Sequence, residues 1–220
     1  MEIARKLRSA DDMTALVNEM GFLPLFDVGV KGFSVEEMTR GQWWTGLSDD
    51  PWHWREIAAR EGEIIYAKIF GGRAGFVSKA WFPKFANYRR NGYDFDSAWE
   101  EGLETPKNRS IMECVSLSPM IMTSDIKKQV GKTGFEGALT HLEMKTYLII
   151  RGFDRKKNRF QEPYGWSIGV MDTPENAFGY DWTTSAYSED PEKSHADILS
   201  HIESVLPDVD RITLEKILQR

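Results

Sequence analysis

The clearest apolar pattern in the chain is a helical stripe flanked by shorter elements between residues 109 and 171. The stripe consists of Phe135, Ala138, Leu139 and Leu142, spaced as on one face of a helix. Before it, residues 109–115 predict one short helix, and a second runs from a cap at Thr123 or Ser124 to Gly131. After it, residues 147–150 and 164–171 predict two strands around the polar turn 154–159.

Three helices followed by a basic hairpin is the order of a winged helix-turn-helix, and we predict that fold for the C-terminal half. Another small α+β unit with the same elements is the alternative. The stripe-bearing helix presents Thr140 outward but no Arg or Lys on that face. Since base edges are usually recognised by Arg, Lys, Asn or Gln, this helix is poorly suited to sequence-specific contacts.

The N-terminal half is less regular. Side chains that can cap helices stand at Ser9, Ser34, Asp50, Ser78 and Asp94. Residues 63–70 and 74–78 predict strands joined by Gly71-Gly72-Arg73. Helix followed by hairpin also allows a second, truncated winged helix here, although no internal sequence repeat supports it.

These elements predict an α+β protein with two regions. Residues 1–106 form a Trp-rich region of helices and a hairpin, and residues 107–220 form the winged-helix region. Two further helices, at 191–206 and 211–218, carry apolar stripes that we expect to close the core.

Composition narrows the class of protein. No apolar run is long enough to span a bilayer, and residues 1–6 lack the apolar stretch of a signal peptide, so we expect a cytoplasmic protein. Cys114, the single cysteine, lies among apolar residues and is expected to be buried. The four histidines lack the spacing of a helical zinc site. We therefore expect neither a metal nor a cofactor.

The net charge is −6, but the charge is unevenly distributed. Residues 66–93 hold six basic residues and no acidic one, and residues 124–159 hold nine basic residues against four acidic ones. Such segments suit a polyanion, whose phosphates bind Lys and Arg. The predicted DNA contacts are Lys79, Arg89, Arg90, Lys127, Lys128, Lys132, Thr140, Arg155, Lys156, Lys157 and Arg159. Two solvated faces paired with the acidic stretches are the alternative explanation.

Six of the eight tryptophans lie between residues 43 and 99. Trp81 shares a helical face with other aromatic residues and is expected in the core. Trp43, Trp44, Trp52 and Trp54 lie beside turn residues and show neither helical nor strand periodicity. For these four, a pocket or base-stacking role competes with a core role.

Several short segments resemble the AlkZ-related family of short bacterial proteins, over nearly the whole chain. These segments are residues 21–26, 51–55, 70–76, 85–96, 163–166 and 178–180. The family name points to AlkZ-type DNA glycosylases, which are built from winged helices. The resemblance therefore implies a DNA-related role, with a distant relation to those enzymes at the level of fold.

The resemblance transfers no catalytic residue. AlkZ-type enzymes are associated with a Gln-x-Gln or Gln-x-Asp pair, and none of the four glutamines, Gln42, Gln129, Gln161 and Gln219, has Gln or Asp two residues later. A glycosylase also needs a carboxylate to position water, for which Asp49 and Asp96 are the candidates. Asp50 and Asp94 already have an explanation as helix caps.

Three functional hypotheses follow. The first is a protein that binds DNA mainly through phosphates, at damaged or distorted sites where the Trp-rich region accepts an unstacked base. The second is a glycosylase-like hydrolase acting on an extruded base. The third is a scaffold or ligand-binding module without nucleic acid.

Overall fold

A computed structural model describes residues 7–219. Residues 1–6, on which the expectation about a signal peptide rested, and residue 220 lie outside the described part. The described part is a mixed α+β structure, as predicted, with one six-stranded sheet.

Residues 10–78 form what we call the first unit. Ser9, Ser34 and Asp50 cap its helices by accepting hydrogen bonds from backbone N–H groups of the first turn, as the sequence predicted. The elements are α1 (Ala10–Met20), β1 (Phe22–Pro24), α2 (Val35–Met38), α3 (Pro51–Glu61), β2 (Ile64–Phe70) and β3 (Arg73–Ser78).

Residues 106–172 form the second unit, which α4 (Phe82–Arg90) and α5 (Phe95–Glu100) connect to the first. The elements of the second unit are α6 (Pro106–Leu117), β4 (Ile121–Met122), α7 (Thr123–Val130), α8 (Phe135–Met144), β5 (Ile149–Lys157) and β6 (Pro163–Asp172). The chain ends with α9 (Pro174–Phe178), α10 (Tyr180–Thr183), α11 (Pro191–Val205) and α12 (Arg211–Leu218).

The two units repeat one topology. Each runs helix, strand, helix, helix, strand, strand, and in each the first strand pairs with the third, which pairs with the second. The sheet order is β1-β3-β2-β5-β6-β4, and the β2–β5 pairing at Tyr66 and Ile150 joins the units. All neighbouring strands in the sheet are antiparallel. The residues themselves show no internal repeat, because the repetition is one of topology, although a second helix-and-hairpin unit in the N-terminal half was allowed from the sequence.

Buried apolar residues form two clusters. One combines the first unit with α4, α11 and α12, and the other combines the second unit with α5. The C-terminal helices do close the core, but they close that of the first unit through Ile198, Ile202 and Leu214. The two clusters therefore do not follow the order of the chain, because the C-terminal helices pack with the first unit.

Three local predictions were wrong. Thr123 and Ser124 lie inside α7 and not before it, because residues 121–122 pair with β6 and the helix begins immediately afterwards. Ser78 ends β3, and α4 begins only after Trp81. The strand β5 starts later and extends much farther than predicted, since its charged residues pair with β6 as far as Lys157.

Candidate nucleic-acid interface

The β5–β6 hairpin extends from the second unit, and the half nearest its tip is exposed. Asn158 organises the turn, since its side-chain oxygen accepts hydrogen bonds from the N–H groups of Phe160 at 2.8 Å and Glu162 at 3.1 Å. The pairing shifts register between Asp154 and Lys156, and the extra residues of β6 include Gly165 with φ +77°. This bulge bends the hairpin and changes the direction of the side chains beyond it.

Four predicted DNA contacts lie on this hairpin. Arg155, Lys156, Lys157 and Arg159 are all exposed, and in residues 7–219 none of them forms an ion pair. Their charges are therefore available to an outside anion such as a phosphate.

The lysines of α7 are exposed or half-buried, but acidic neighbours neutralise them. The Lys127 ammonium lies 2.6 Å from the Glu136 carboxylate, and that of Lys128 lies 2.7 Å from Asp125. The hydrogen bond from the Lys128 ammonium to Asp125 raises the pKa of Lys128. Lys132, in the turn before α8, is exposed. This face is therefore a weaker candidate for phosphate binding than the hairpin.

Two predicted contacts, Arg89 and Arg90, are buried, and their assignment to a DNA surface was wrong. Arg89 donates hydrogen bonds to the carbonyl oxygens of Ile69 and Met144, and burial lowers its pKa to about 10. Arg90 bonds to Thr146 and pairs with Glu175. These guanidiniums join α4 to the second unit, so their function is structural. Lys79 is half-buried, with its ammonium 5.1 Å from the centre of the Phe178 ring.

The tryptophans proposed for stacking are mostly packed. Trp54 is fully buried and donates a hydrogen bond from Nε1 to the Ser48 carbonyl at 2.8 Å, so its stacking assignment was wrong. Trp43 and Trp52 are partly buried and pack their rings on Phe26. Trp44 alone of the four is largely exposed, at 59%.

The hairpin carries exposed aromatic residues that the sequence analysis did not identify. Phe160 is 66% exposed, Tyr164 51% and Trp166 77%. The available signal was a set of aromatic residues beside a basic turn. The strand pattern of residues 164–171 does not show which part of the strand faces solvent, so this signal gave no prediction.

Thr140 lies on the half-buried outer face of α8. A Cβ atom added at Gly72, in the β2–β3 turn, would lie 3.5 Å from the methyl group of Thr140. The first unit therefore borders this helix. The face also includes Glu136, His141 and Met144, which line a shallow depression with Thr140. Within α8 this face carries no Arg or Lys, in agreement with the sequence argument against base recognition, and Lys145, directly after the helix, lines the same depression.

Glu143 is a buried carboxylate where α8 meets the first unit. It accepts a hydrogen bond from the Lys68 N–H at 3.2 Å, and the Lys68 ammonium lies 3.5 Å away. The charge and hydrogen bonding of Lys68 lower the pKa of Glu143, but the effect of burial is larger and raises this pKa to about 7. Lys68, Glu143, Lys127 and Phe153 line a cavity of about 390 Å³ at the base of the hairpin. No pattern in the sequence indicates this carboxylate, because its burial depends on β2.

The two predicted carboxylates lie apart. Asp49 is exposed in the loop before α3, whereas Asp96 is exposed at a cleft of about 600 Å³ that Asp94, Trp99 and Tyr180 also line. Burial opposes ionisation of Asp94, but hydrogen bonds from Ser97 and Tyr180 outweigh it and lower its pKa. Asp94 caps α5, as predicted.

Comparison with known proteins places the chain in a family. The model of the AlkZ-related family matches residues 7–219. The chain belongs to the AlkZ-related family. This confirms the resemblance inferred from the short sequence segments.

More distant comparisons add little to this membership. The fold is similar to that of the Streptomyces sahachiroi DNA glycosylase AlkZ, with a TM-score of 0.48, 14% sequence identity, and coverage of 96% of this chain and 59% of that one. The AlkZ-related chain thus spans about three-fifths of the length of that enzyme. The curated proteins include no match.

The glutamines of this AlkZ-related chain are dispersed and exposed. They lie in the loop before α3, on α7, in the hairpin turn and after α12. No helix in residues 7–219 is long and apolar enough to cross a membrane.

Proposed function

We propose that this protein binds DNA through the phosphate backbone, with the second unit acting as a winged helix and the β5–β6 hairpin as its wing. The order helix, strand, helix, helix, strand, strand and the strand order β4-β6-β5 support the winged-helix interpretation. The observation that carries the proposal is the exposed positive charge of Arg155, Lys156, Lys157 and Arg159, none of which forms an ion pair within residues 7–219.

In this proposal the hairpin holds DNA without reading its sequence. Each cation that neutralises a phosphate releases a condensed counterion, so affinity falls steeply with salt. The outer face of α8 supplies no Arg or Lys for base edges, and phosphate contacts alone position a duplex without specifying it. The paired lysines Lys127 and Lys128 contribute less, because binding a phosphate would first break their ion pairs.

The test replaces Arg155, Lys156, Lys157 and Arg159 with Ala and measures duplex DNA affinity against salt concentration. We expect the slope of log affinity against log salt to fall by about 0.9 for each phosphate that the variant no longer neutralises. The matched control removes four exposed cations elsewhere, Lys31, Arg40, Arg60 and Lys216. Equal decreases in both variants would show a non-specific effect of net charge, and an unchanged slope in the hairpin variant would refute the proposal.

A second candidate function, hydrolysis of the bond between base and sugar, is favoured by one observation. Glu143 is a buried carboxylate whose pKa of about 7 suits a general base, and it lines the cavity at the base of the hairpin. The test is release of free base from DNA containing N7-methylguanine. Release that disappears in Glu143→Gln, with DNA affinity retained, would support it. Absence of release by the unaltered protein would exclude it for this substrate.

A further inference from the structure

We propose that the exposed rings of the hairpin, Phe160, Tyr164 and Trp166, stack on unpaired bases, so that the protein prefers DNA with unpaired nucleotides over intact duplex. This inference rests on the proposed DNA binding and adds the form of DNA that is selected. It moves the base-stacking role from the tryptophans of the first unit to the wing of the second.

Leaving the three hairpin rings exposed to water is unfavourable in free energy. Five aromatic residues in the described part are both large and strongly exposed, and three of them fall within the seven residues 160–166. Neither hydrophobic cluster contains these three rings. Folding therefore gains little from them, and a concentrated set of exposed rings marks a binding surface.

Two of the exposed rings on the hairpin lie next to cations. Tyr164 lies directly opposite Lys156 in the strand pairing, so the two side chains project from the same face of the hairpin. The Arg159 guanidinium lies 4.6 Å from the centre of the Phe160 ring. Rings that lie beside cations suit a single strand of nucleic acid, which presents bases next to phosphates.

Trp166 lies in the bulge of the hairpin. Between the pairs Lys156 with Tyr164 and Asp154 with Ile168, three residues of β6 face one residue of β5. The adjacent Ser167 donates a hydrogen bond to Glu56 of α3, which anchors the bulge to the first unit. Trp166 is thus held by fixed backbone at its base while its ring stays in solvent. A ring presented in this way is already positioned for stacking, which reduces the entropy cost of binding.

Intact duplex offers these rings no base faces, because its bases are stacked on one another. A phosphate-binding hairpin would need only the cations, whereas a base that is already unstacked can lie on a ring at no cost of unpairing. DNA with a gap, a bulge or a single-stranded end satisfies both the cations and the rings. The chemistry of the hairpin therefore favours such DNA.

The experiment compares three DNA molecules of one sequence: an intact duplex, a duplex with a three-nucleotide gap, and the single strand. We expect the unaltered protein to bind the gapped and single-stranded forms about tenfold more tightly than the duplex. Phe160→Ala, Tyr164→Ala and Trp166→Ala combined should abolish that preference and change duplex affinity less than about twofold. Trp166→Phe should retain most of the preference, since a ring is kept.

The control is Trp44→Ala, which removes an exposed ring from the first unit and should leave the preference unchanged. The melting temperature of each variant checks that the hairpin substitutions do not unfold the protein. Salt-dependent duplex binding without any preference for unpaired DNA would overturn this inference and leave the proposed function standing. No DNA binding in any form would overturn both.

Discussion

The first and second units share one topology but differ in what they leave exposed to solvent. In the first unit the β2–β3 hairpin turns tightly at Gly71 and Gly72, whose φ angles of +58° and +80° suit glycine. Its strands are mostly buried. In the second unit the corresponding strands have nine and ten residues, and the half nearest the tip is exposed.

The corresponding helices are alike, since each packs against a strand of the other unit. In the first unit, α3 buries Trp54 and Arg55 and packs against β5, and the Arg55 guanidinium stacks between the rings of Trp52 at 3.6 Å and Phe153 at 3.9 Å. In the second unit, α8 buries Phe135, Leu139 and Glu143 and packs against β2. The comparison teaches that a repeated topology supplies a scaffold, and that the length and charge of one hairpin decide which copy can meet a partner.

The largest expected effect tests the structural role of the first unit. Trp54→Ala removes a fully buried ring and the hydrogen bond to Ser48, so it should lower the free energy of unfolding by about 3–5 kcal/mol. Trp44→Ala, at an exposed ring, should lower it by less than about 1 kcal/mol. Urea unfolding measures both. Similar values for the two variants would contradict the assignment of Trp54 to the core.

The next effect concerns the contact between the units at Glu143. Burial raises its folded pKa from 4.5 to about 7, so the neutral carboxyl stabilises the fold fully below about pH 4.5. That contribution disappears as the pH rises through about 7. Between pH 5 and 8 the free energy of unfolding should therefore fall by roughly 2–3 kcal/mol through this group.

Glu143→Gln keeps a neutral side chain at every pH, so the fall should be absent from its pH profile. Glu136→Gln is the matched control, since Glu136 is exposed, pairs with Lys127 and affects the Glu143 pKa less than burial or Lys68 does. Denaturant unfolding at pH 5, 6, 7 and 8 measures the effect. The same pH dependence in Glu143→Gln and in the unaltered protein would exclude the carboxyl as its source.

The smallest expected effect compares the two hairpins as DNA contacts. Arg73 in the first hairpin is exposed and donates a hydrogen bond to the Asp27 carbonyl at 3.0 Å. Arg73→Ala should change duplex DNA affinity less than about twofold, whereas Lys156→Ala in the second hairpin should reduce it about threefold or more at moderate salt. Fluorescence anisotropy at two salt concentrations measures both. A larger decrease from Arg73→Ala would show that the DNA contact had been assigned to the wrong unit.

The sequence predicted most elements because helix caps and apolar stripes act over a few residues. Ser9, Asp50 and Asp94 cap helices as expected, and the stripe at Phe135, Leu139 and Leu142 is buried. The charged residues at 154–157 were instead assigned to a turn. They form a strand because β6 provides hydrogen bonds to their backbone, and no propensity within the segment reports that partner.

The candidate site was less accessible to sequence analysis. The charge segments correctly included the hairpin cations, but they also included Arg89 and Arg90, which are buried. The partners that bury these arginines, Met144 and Thr146, lie more than fifty residues away in the chain. The sequence does not distinguish a basic residue that binds a distant buried acceptor from a basic residue that faces solvent.

By itself, then, the sequence determined the local elements, the uneven distribution of charge and the resemblance to the AlkZ-related family, because each of these depends on neighbouring residues or on short segments. Tertiary structure decided the pairing of β2 with β5, the burial of Glu143 and Trp54, and the exposure of Trp166. These depend on contacts between residues far apart in the chain, where burial and hydrogen bonding outweigh local preference.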